Sequence, residues 1–531
     1  MQDDALLFGP TPEPTRFESL VEALQVRASS QRPWLVFHEG GDARPLGFAE
    51  AYELALGYAR AYRRLGIGAG CRVGVLLPNS ADFIGAFFGA LVVGAAAVPL
   101  AWPAVPGAAE LRAVSELQPL IDAAKLSALA TTEAVVAGSA LTVPAIIGPV
   151  TGEAIAAAAV STRAPAFLQF TSGSTSTPKG AVISHRAALT SAQIMAQTLA
   201  LGPTDVGVSW LPFFHDMGLV GVVLCSLVAG FRVHVMRPSE FLLRPRRWLE
   251  LASSAGATIT PGPNFAYGHA AKRTKSTEGL ALSSLRWALN GSEPVHRATM
   301  RDFGEHFRGC GFSPGAFAPV YGLAEYTLGV AFECKGDPRN DLLRAGRLLP
   351  SVGQPLAGTA VAIRREDGSL AAIDDEGEIV VRGPCAMSGY FDAPEATAAA
   401  LDGGWLYTGD LGIISGGRLY VSGRQKELVI KAGRKFHPYE IERIVAESVE
   451  TTPNGVAVFS ARGERAEEIV VVVEQRVAPS KTTERVIRGR VVEALGVSVD
   501  RVEIVPPGSL PRTTSGKVRR ADCALRFARS M

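Results

Sequence analysis

Apolar runs of strand length recur along much of this chain, with helix-like patterns between them. The clearest are "RVGVLLP", "AAAVPL", "AFLQF", "GAVISH", "FRVHVM", "ATITPG" and "LRWALNG". They are apolar nearly throughout rather than alternating, as strands covered on both faces are. Between them "GYARAYRRLGI" and "HRAALTSAQIMAQTLAL" each carry one apolar face at helical spacing. Strands and helices in this alternation predict an α/β fold with buried, mostly parallel sheets.

From about Ser351 the texture changes. "TAVAIRREDGSLAAIDDEGEIVVRG" and "GRLYVSG" read as hairpin-linked strands with DG and GG turns. After Gly423 come short α+β signals, "KELVIKAG", "EIERIVAES", "GVAVFS" and "EEIVVVVEQ", which suit a small domain of roughly a hundred residues. A chain of 531 residues is too long for one compact domain. There is no internal repeat and no long low-complexity segment.

One run, "FIGAFFGALVVGAAAVPLAW", is long and apolar enough to suggest a membrane span. Gly94 and Pro99 divide it, and its flanks lack interfacial anchors, so a buried helix followed by a short strand is expected. The acidic, Pro-containing start has no signal-peptide pattern. A net charge of +2 gives no case for nucleic acid or an anionic surface. The six cysteines form no CxxC pair and read as free thiols in a reducing, cytoplasmic setting.

The stretch "LQFTSGSTSTPKGAVISH" (168–185) places a Ser/Thr-rich loop between two apolar runs. The phosphate-binding pattern GxxxxGK[ST], started at Gly173, requires glycine at 178 and a hydroxyl residue after the lysine. The residues there are Pro178, Lys179 and Gly180, so the pattern fails. The following run reads as a second strand, which makes the unit a strand–loop–strand hairpin. Its hydroxyls and backbone N–H groups still suit phosphate oxygens, although a plain polar surface loop has the same composition.

Four more stretches follow in order. "YGLAEYTL" (321–328) places Glu325 after an aromatic and a glycine. "GWLYTGDLG" (404–412) places Asp410 in a Gly-rich turn. "VSGRQKELVIKAGRKFHPYEIE" comes next, and "GSLPRTTSGKVRR" nearly closes the chain. Singly, they read as a helix cap, a turn acid and solvated basic segments. Together and in this order, they resemble the adenylate-forming (ANL) superfamily of acyl-CoA synthetases, fatty acyl-AMP ligases and peptide-synthetase adenylation domains. The resemblance runs from "LLPNSADFIGAFFGALVVGAAAVPL" to "LPRTTSGKVRR". "LPFFHDMGLVG", "TPGPNFAYGHAAKR", "LRWALNGSEPV" and "CGFSPGAFAPVYGLAEYTL" are most similar to the fatty acyl-AMP ligase branch.

That resemblance implies a large N-terminal domain, residues 1–425, of stacked sheets and helices (αβαβα) plus a distorted barrel. It also implies a small mobile α+β domain, residues 426–531. The implied reaction is attack of a fatty acid carboxylate on the α-phosphorus of ATP, giving acyl-AMP and pyrophosphate. Two anions must meet, so cations and donors are needed. By resemblance, Thr171, Ser172, Gly173, Ser174, Thr175 and Lys179 hold the β- and γ-phosphates. Glu325 binds Mg²⁺. Gly291, Ser292, Glu293 and Pro294 wall the adenine, with Tyr321 and Gly322 against the base. Asp410 takes the ribose hydroxyls and Arg424 supports the ribose–phosphate side. Lys517 is the catalytic cation, Lys426 the hinge, and His215 stands at the pocket mouth. Trp210, Phe213, Phe214, Met217, Phe265 and Tyr267 are the candidates for a neutral acyl pocket, plain core packing being the other reading of these residues.

Asp216 is the only acid in 208–235, so a buried α-ammonium has no dedicated partner there, which speaks against amino acid substrates. The segment "GVAFECKGDPRNDLLRAGRLLPSV" looks short for the insertion that excludes CoA in the ligase branch. The phosphopantetheine arm of an acyl carrier protein is the expected acceptor, with free CoA the alternative. An aryl-acid adenylating enzyme and a non-catalytic scaffold are the remaining readings. The scaffold is disfavoured because the loop lysine, the glutamate, the aspartate and the C-terminal lysine are all present.

Overall fold

In the computed structural model, residues 4–102, 118–138, 141–171, 179–334, 340–344, 347–431, 434–452, 454–462, 467–476, 481–512 and 518–527 are described. Two large sheets carry the N-terminal part. The nine-stranded sheet runs Gln354–Pro355, Gly329–Phe332, Phe317–Gly322, Trp287–Gly291, Ile259–Pro263, Val206–Ser209, Arg232–Met236, Pro33–Glu39, Asp42–Gly47. Its centre, from 317–322 to 33–39, is parallel, and antiparallel strands close both edges.

A six-stranded sheet follows the order Ala145–Ile146, Ala128–Ala130, Arg72–Val75, Ala96–Pro99, Pro165–Thr171, Lys179–Ser184. Only its last pair is antiparallel. That pair is the predicted hairpin, with Phe170 opposite Gly180 and Thr171 opposite Lys179. The apolar 83–102 run folds as expected, a buried helix Ala81–Val92 and the strand Ala96–Pro99, broken at Gly94 with φ +78°. Ser80 accepts from the Phe83 N–H and starts that helix. Among the described residues, no helix is long and apolar enough to cross a membrane.

The part expected as a distorted barrel is a six-stranded antiparallel sheet built on 360–364, 376–382, 405–415 and 418–424. Its GG turn is as read: Gly416 and Gly417 have φ +53° and +73°, the signs a tight two-residue hairpin turn demands. The C-terminal part has a three-stranded sheet, Val456–Arg462, Glu467–Glu474 and Arg501–Val505, with helices Pro438–Ser448, Lys481–Leu495 and Arg520–Phe527. Val429, Ile441, Val445, Val458, Val471 and Ile487 belong to a core of its own there, separate from the main one. All six cysteines are free thiols.

Candidate functional site

In an open α/β sheet, ligands bind beyond the carboxyl ends of the parallel strands. Four strands of the nine-stranded sheet deliver predicted residues to that edge. Strand 206–209 leads to His215, 259–263 to Phe265, 287–291 to Ser292, and 317–322 to Glu325.

The turn after Gly291 is wound tightly. A Cβ on Gly291 would lie 2.6 Å from the Val320 carbonyl oxygen. Ser292 has φ +70°, uncommon for a residue with a side chain. The turn is fixed from below: Glu293 accepts from the Phe265 N–H at 2.5 Å. Asn264 accepts from the His296 N–H at 3.0 Å and from Asn290 at 3.3 Å. Gly322 is equally constrained, since a Cβ would stand 1.9 Å from the Leu328 oxygen.

Opposite this turn lies a second group. Asp410 pairs in register with Arg424 across two antiparallel strands. Its Oδ1 accepts from Arg424 Nε at 2.9 Å, and its Oδ2 accepts from the Tyr321 hydroxyl at 2.9 Å. The carboxylate holds the Arg424 guanidinium pKa above its ordinary value, with burial opposing. Burial and the neighbouring carboxylate push the Tyr321 phenol well up. Asp410 was read as a turn residue. It lies instead inside the long strand Trp405–Ser415, where Gly409 at φ +71° and a bulge at 411–412 turn it towards Tyr321.

The third group surrounds Glu325, which sits on a single 3₁₀ turn, Ala324–Tyr326. Its Oε1 accepts from the Tyr390 hydroxyl at 2.8 Å. Burial raises the Glu325 pKa, against that hydrogen bond. Residues 388–391 run beside the 179–184 strand through bonds such as Phe391 N–H to the Gly180 oxygen. This brings the Lys179 ammonium 5.4 Å from the centre of the Tyr390 ring, within cation–π range. Tyr390 thus joins the hairpin lysine to the glutamate. Its only sequence signal is an aromatic after Gly389 in "MSGYFD", which the sequence reading passed over.

Beside Ser292 and Tyr321 opens a narrow cavity of about 50 Å³. Asp216, Ser292, Tyr321 and Gly322 form its polar side. Met195, Leu199, Met217, Cys225, Ile259, Leu289 and Phe332 form its apolar side. Of the six proposed acyl-pocket residues, Met217 lines it. Trp210 stacks on Phe241 at 3.9 Å, with Phe265 edge-on to it. Phe213 packs against Phe83 in the core, and Tyr267 is fully buried with its hydroxyl on the Leu289 oxygen. The Phe214 carbonyl accepts from Gln169. Trp210, Phe213 and Tyr267 are buried in the packing around the strands, while Phe214 and Phe265 are half-buried. Residues 219–224, beside it, form a π-helical turn, a feature frequent at functional sites.

His215 precedes the short helix Asp216–Gly218. Its Nδ1 lies 2.6 Å from Asp216, which also accepts from the Met217 N–H. Asp216 is therefore engaged by its own turn. Pro294 is exposed beyond the 291–293 turn, and Lys426 is exposed in the 3₁₀ turn Gln425–Glu427. Ser172, Gly173, Ser174, Thr175 and Lys517 lie outside the described residues. Thr171 is described by its backbone alone, at the end of its strand.

A magnesium ion needs six oxygens and keeps several from water or substrate phosphates. Among the described residues no group of three or more His, Cys, Asp or Glu could hold a metal by itself. Glu325 offers one half-buried, hard carboxylate. That donor set fits Mg²⁺ arriving with a polyphosphate and does not form a stand-alone site.

A family model described as AMP-binding enzyme matches residues 23–391. The long-chain-fatty-acid–AMP ligase FadD26 of Mycobacterium tuberculosis is 32% identical over 588 residues, 97% of this chain and 98% of that protein. A chain solved in structural and functional studies of fatty acyl-adenylate ligases from E. coli and L. pneumophila is 30% identical. It superposes with a TM-score of 0.88 over 97% of this chain and 99% of its own. The L. pneumophila fatty acyl-adenylate ligase in complex with acyl adenylate and pyrophosphate is 28% identical, with a TM-score of 0.73 over 96% of each chain.

Proposed function

This chain belongs to the AMP-binding, adenylate-forming enzymes, and from that premise we propose that it activates a fatty acid as its acyl-adenylate. It then passes the acyl group to the phosphopantetheine thiol of an acyl carrier protein, forming a thioester and releasing AMP. The observation that carries the reading is the Tyr321–Asp410–Arg424 cluster, whose Tyr321 lines an apolar cavity together with Ser292. The hydrogen-bonding groups suit a nucleotide, and the apolar lining suits an acyl chain once the cavity opens.

In the first step a carboxylate oxygen bonds to the α-phosphorus and the bond to pyrophosphate breaks. Asp410 accepts from the ribose hydroxyls, and the tight 291–293 turn and Tyr321 flank the base. Lys179 and the hydroxyl loop before it neutralise the leaving pyrophosphate. Glu325, oriented by Tyr390, takes Mg²⁺, which supplies positive charge to the phosphates when bound. Lys517, delivered by the 426–531 domain turning about Lys426, meets the charge that develops between carboxylate and α-phosphate. The cavity as it stands is too narrow for a long acyl chain, so the Met195, Met217 and Phe332 side chains must part on binding. Unbranched methionine side chains yield readily. The reaction is placed in the cytoplasm, where ATP and carrier proteins are present.

The test is mass spectrometry of products from ATP, Mg²⁺ and a ladder of fatty acids. The acceptor is free CoA, a carrier protein bearing its phosphopantetheine arm, or none. Acyl-AMP that persists with CoA and is consumed by the carrier protein supports the proposal. Acyl-CoA formed as fast as acyl-AMP overturns the acceptor assignment, and no acyl-AMP with any acid overturns the whole reading.

A further inference from the structure

Outside the nucleotide site, a half-buried charged group among the described residues joins the two ends of the C-terminal part. Arg520 opens the helix Arg520–Phe527, three positions after Lys517. Its Nε and Nη2 donate to both oxygens of Glu442 at 2.8 and 2.7 Å. Its Nη1 donates to Glu427 at 2.6 Å. Glu427 is the residue immediately after Lys426. Glu442, on the helix Pro438–Ser448, also accepts from the Val458 N–H. The Arg520 side chain is only 19% exposed. Burial opposes its charge, but the two carboxylates outweigh that and hold its pKa above the ordinary value.

The base of the segment carrying Lys517 is pinned on its other side as well. Arg512 bridges to Val518, reaches Glu474 at 3.0 Å, and donates to the Asn454 oxygen. The Arg519 N–H donates to the Pro511 oxygen.

We propose that Arg520 is a positioning residue that ties the chain just past the Lys426 pivot to the base of the Lys517 segment, so that rotation about the pivot is delivered to the lysine. This rests on the readings of Lys517 as the adenylation cation and of Lys426 as the hinge. The apolar core of the C-terminal part includes neither Arg520 nor Glu427. The Glu427 contact links two segments that lie 93 positions apart along the chain. Arginine suits the task because its planar fork holds one carboxylate with two nitrogens while a third reaches another; a lysine is a single point of charge.

The test compares ATP–pyrophosphate exchange, AMP affinity and thermal unfolding in Arg520→Gln, Arg520→Lys, Glu427→Gln and the Arg520→Gln/Glu427→Gln pair, with Lys517→Ala alongside. Arg520→Gln is expected to lower kcat for exchange about tenfold or more. KM for ATP and AMP affinity stay unchanged, because the nucleotide residues lie elsewhere, and Arg520→Lys recovers little. Glu427→Gln, which touches no core, lowers the same step, and the pair is no worse than Arg520→Gln alone. Normal kcat in folded Arg520→Gln or in Glu427→Gln, or losses that multiply in the pair, overturn the proposal while leaving Lys517 in place. Full exchange in Lys517→Ala removes the lysine from the mechanism and the proposal with it.

Discussion

Replacing Asp410 by asparagine separates nucleotide recognition from folding. The amide keeps the shape of the carboxylate and removes its charge. In the free protein the loss is modest. Arg424 is 48% exposed, so its ion pair contributes under about 1 kcal/mol. The Tyr321 hydroxyl exchanges a charged acceptor for a neutral one, which costs a further amount of about 1–1.5 kcal/mol. The unfolding temperature should therefore fall by no more than about 10 °C. In the nucleotide complex the loss is larger. A hydrogen bond to a charged acceptor contributes about 1.5–3 kcal/mol, and a neutral one about 0.5–1.5. The difference is about 1–1.5 kcal/mol for each ribose hydroxyl, or about 2–3 for the pair. That corresponds to about 30- to 150-fold weaker ATP binding. Steady-state pyrophosphate exchange should show KM for ATP raised by that factor, with kcat little changed, since Asp410 does not face the α-phosphorus in the proposed arrangement. Nucleotide lacking both ribose hydroxyls gives the control: the unmodified protein should reject 2′,3′-dideoxy-ATP strongly and Asp410→Asn only weakly. A KM for ATP within threefold of the original, or a variant that still discriminates against the dideoxy nucleotide, would refute the ribose assignment.

Three further outcomes are expected. Tyr390→Phe removes the donor on Glu325 and keeps the ring beneath Lys179; exchange at saturating ATP should fall about tenfold to a hundredfold, read against Mg²⁺ concentration. Gly423→Ala drives a Cβ to 2.0 Å from His437 Nδ1, in a ring that is 6% exposed. It should cost about 1–3 kcal/mol in chemical denaturation, and His437→Ala in the same background should restore most of it. His185 is buried, and burial lowers its pKa from 6.5 to about 4. As pH falls from about 6.5 to 4 the unfolded chain takes up a proton that the folded one refuses, so stability is lost over that window, by up to about 3 kcal/mol. Above pH 6.5 the effect is absent, and His185→Gln should show a flatter dependence of denaturation midpoint on pH.

The sequence determined the layers by local rules. Uniformly apolar runs announced two-sided strands, and the hairpin around 171–179, the 81–99 helix and strand, and the Gly416–Gly417 turn formed as read. Glu325, Asp410 and Arg424 could be named because short motifs mark their neighbourhoods. The tertiary structure decided what those motifs face. The aromatics 210–214 and 265–267 share the composition of a pocket wall, yet most of them buttress the sheets, because the strand order sets which face of each segment is enclosed. The cavity is lined instead by Met195, Cys225, Leu289 and Phe332, which come from four distant segments. Tyr390 meets Glu325 across 65 positions and Arg520 meets Glu427 across 93. Periodicity and motif spacing reach a few residues along the chain. Contacts such as these depend on strand order and domain packing, which no local pattern encodes.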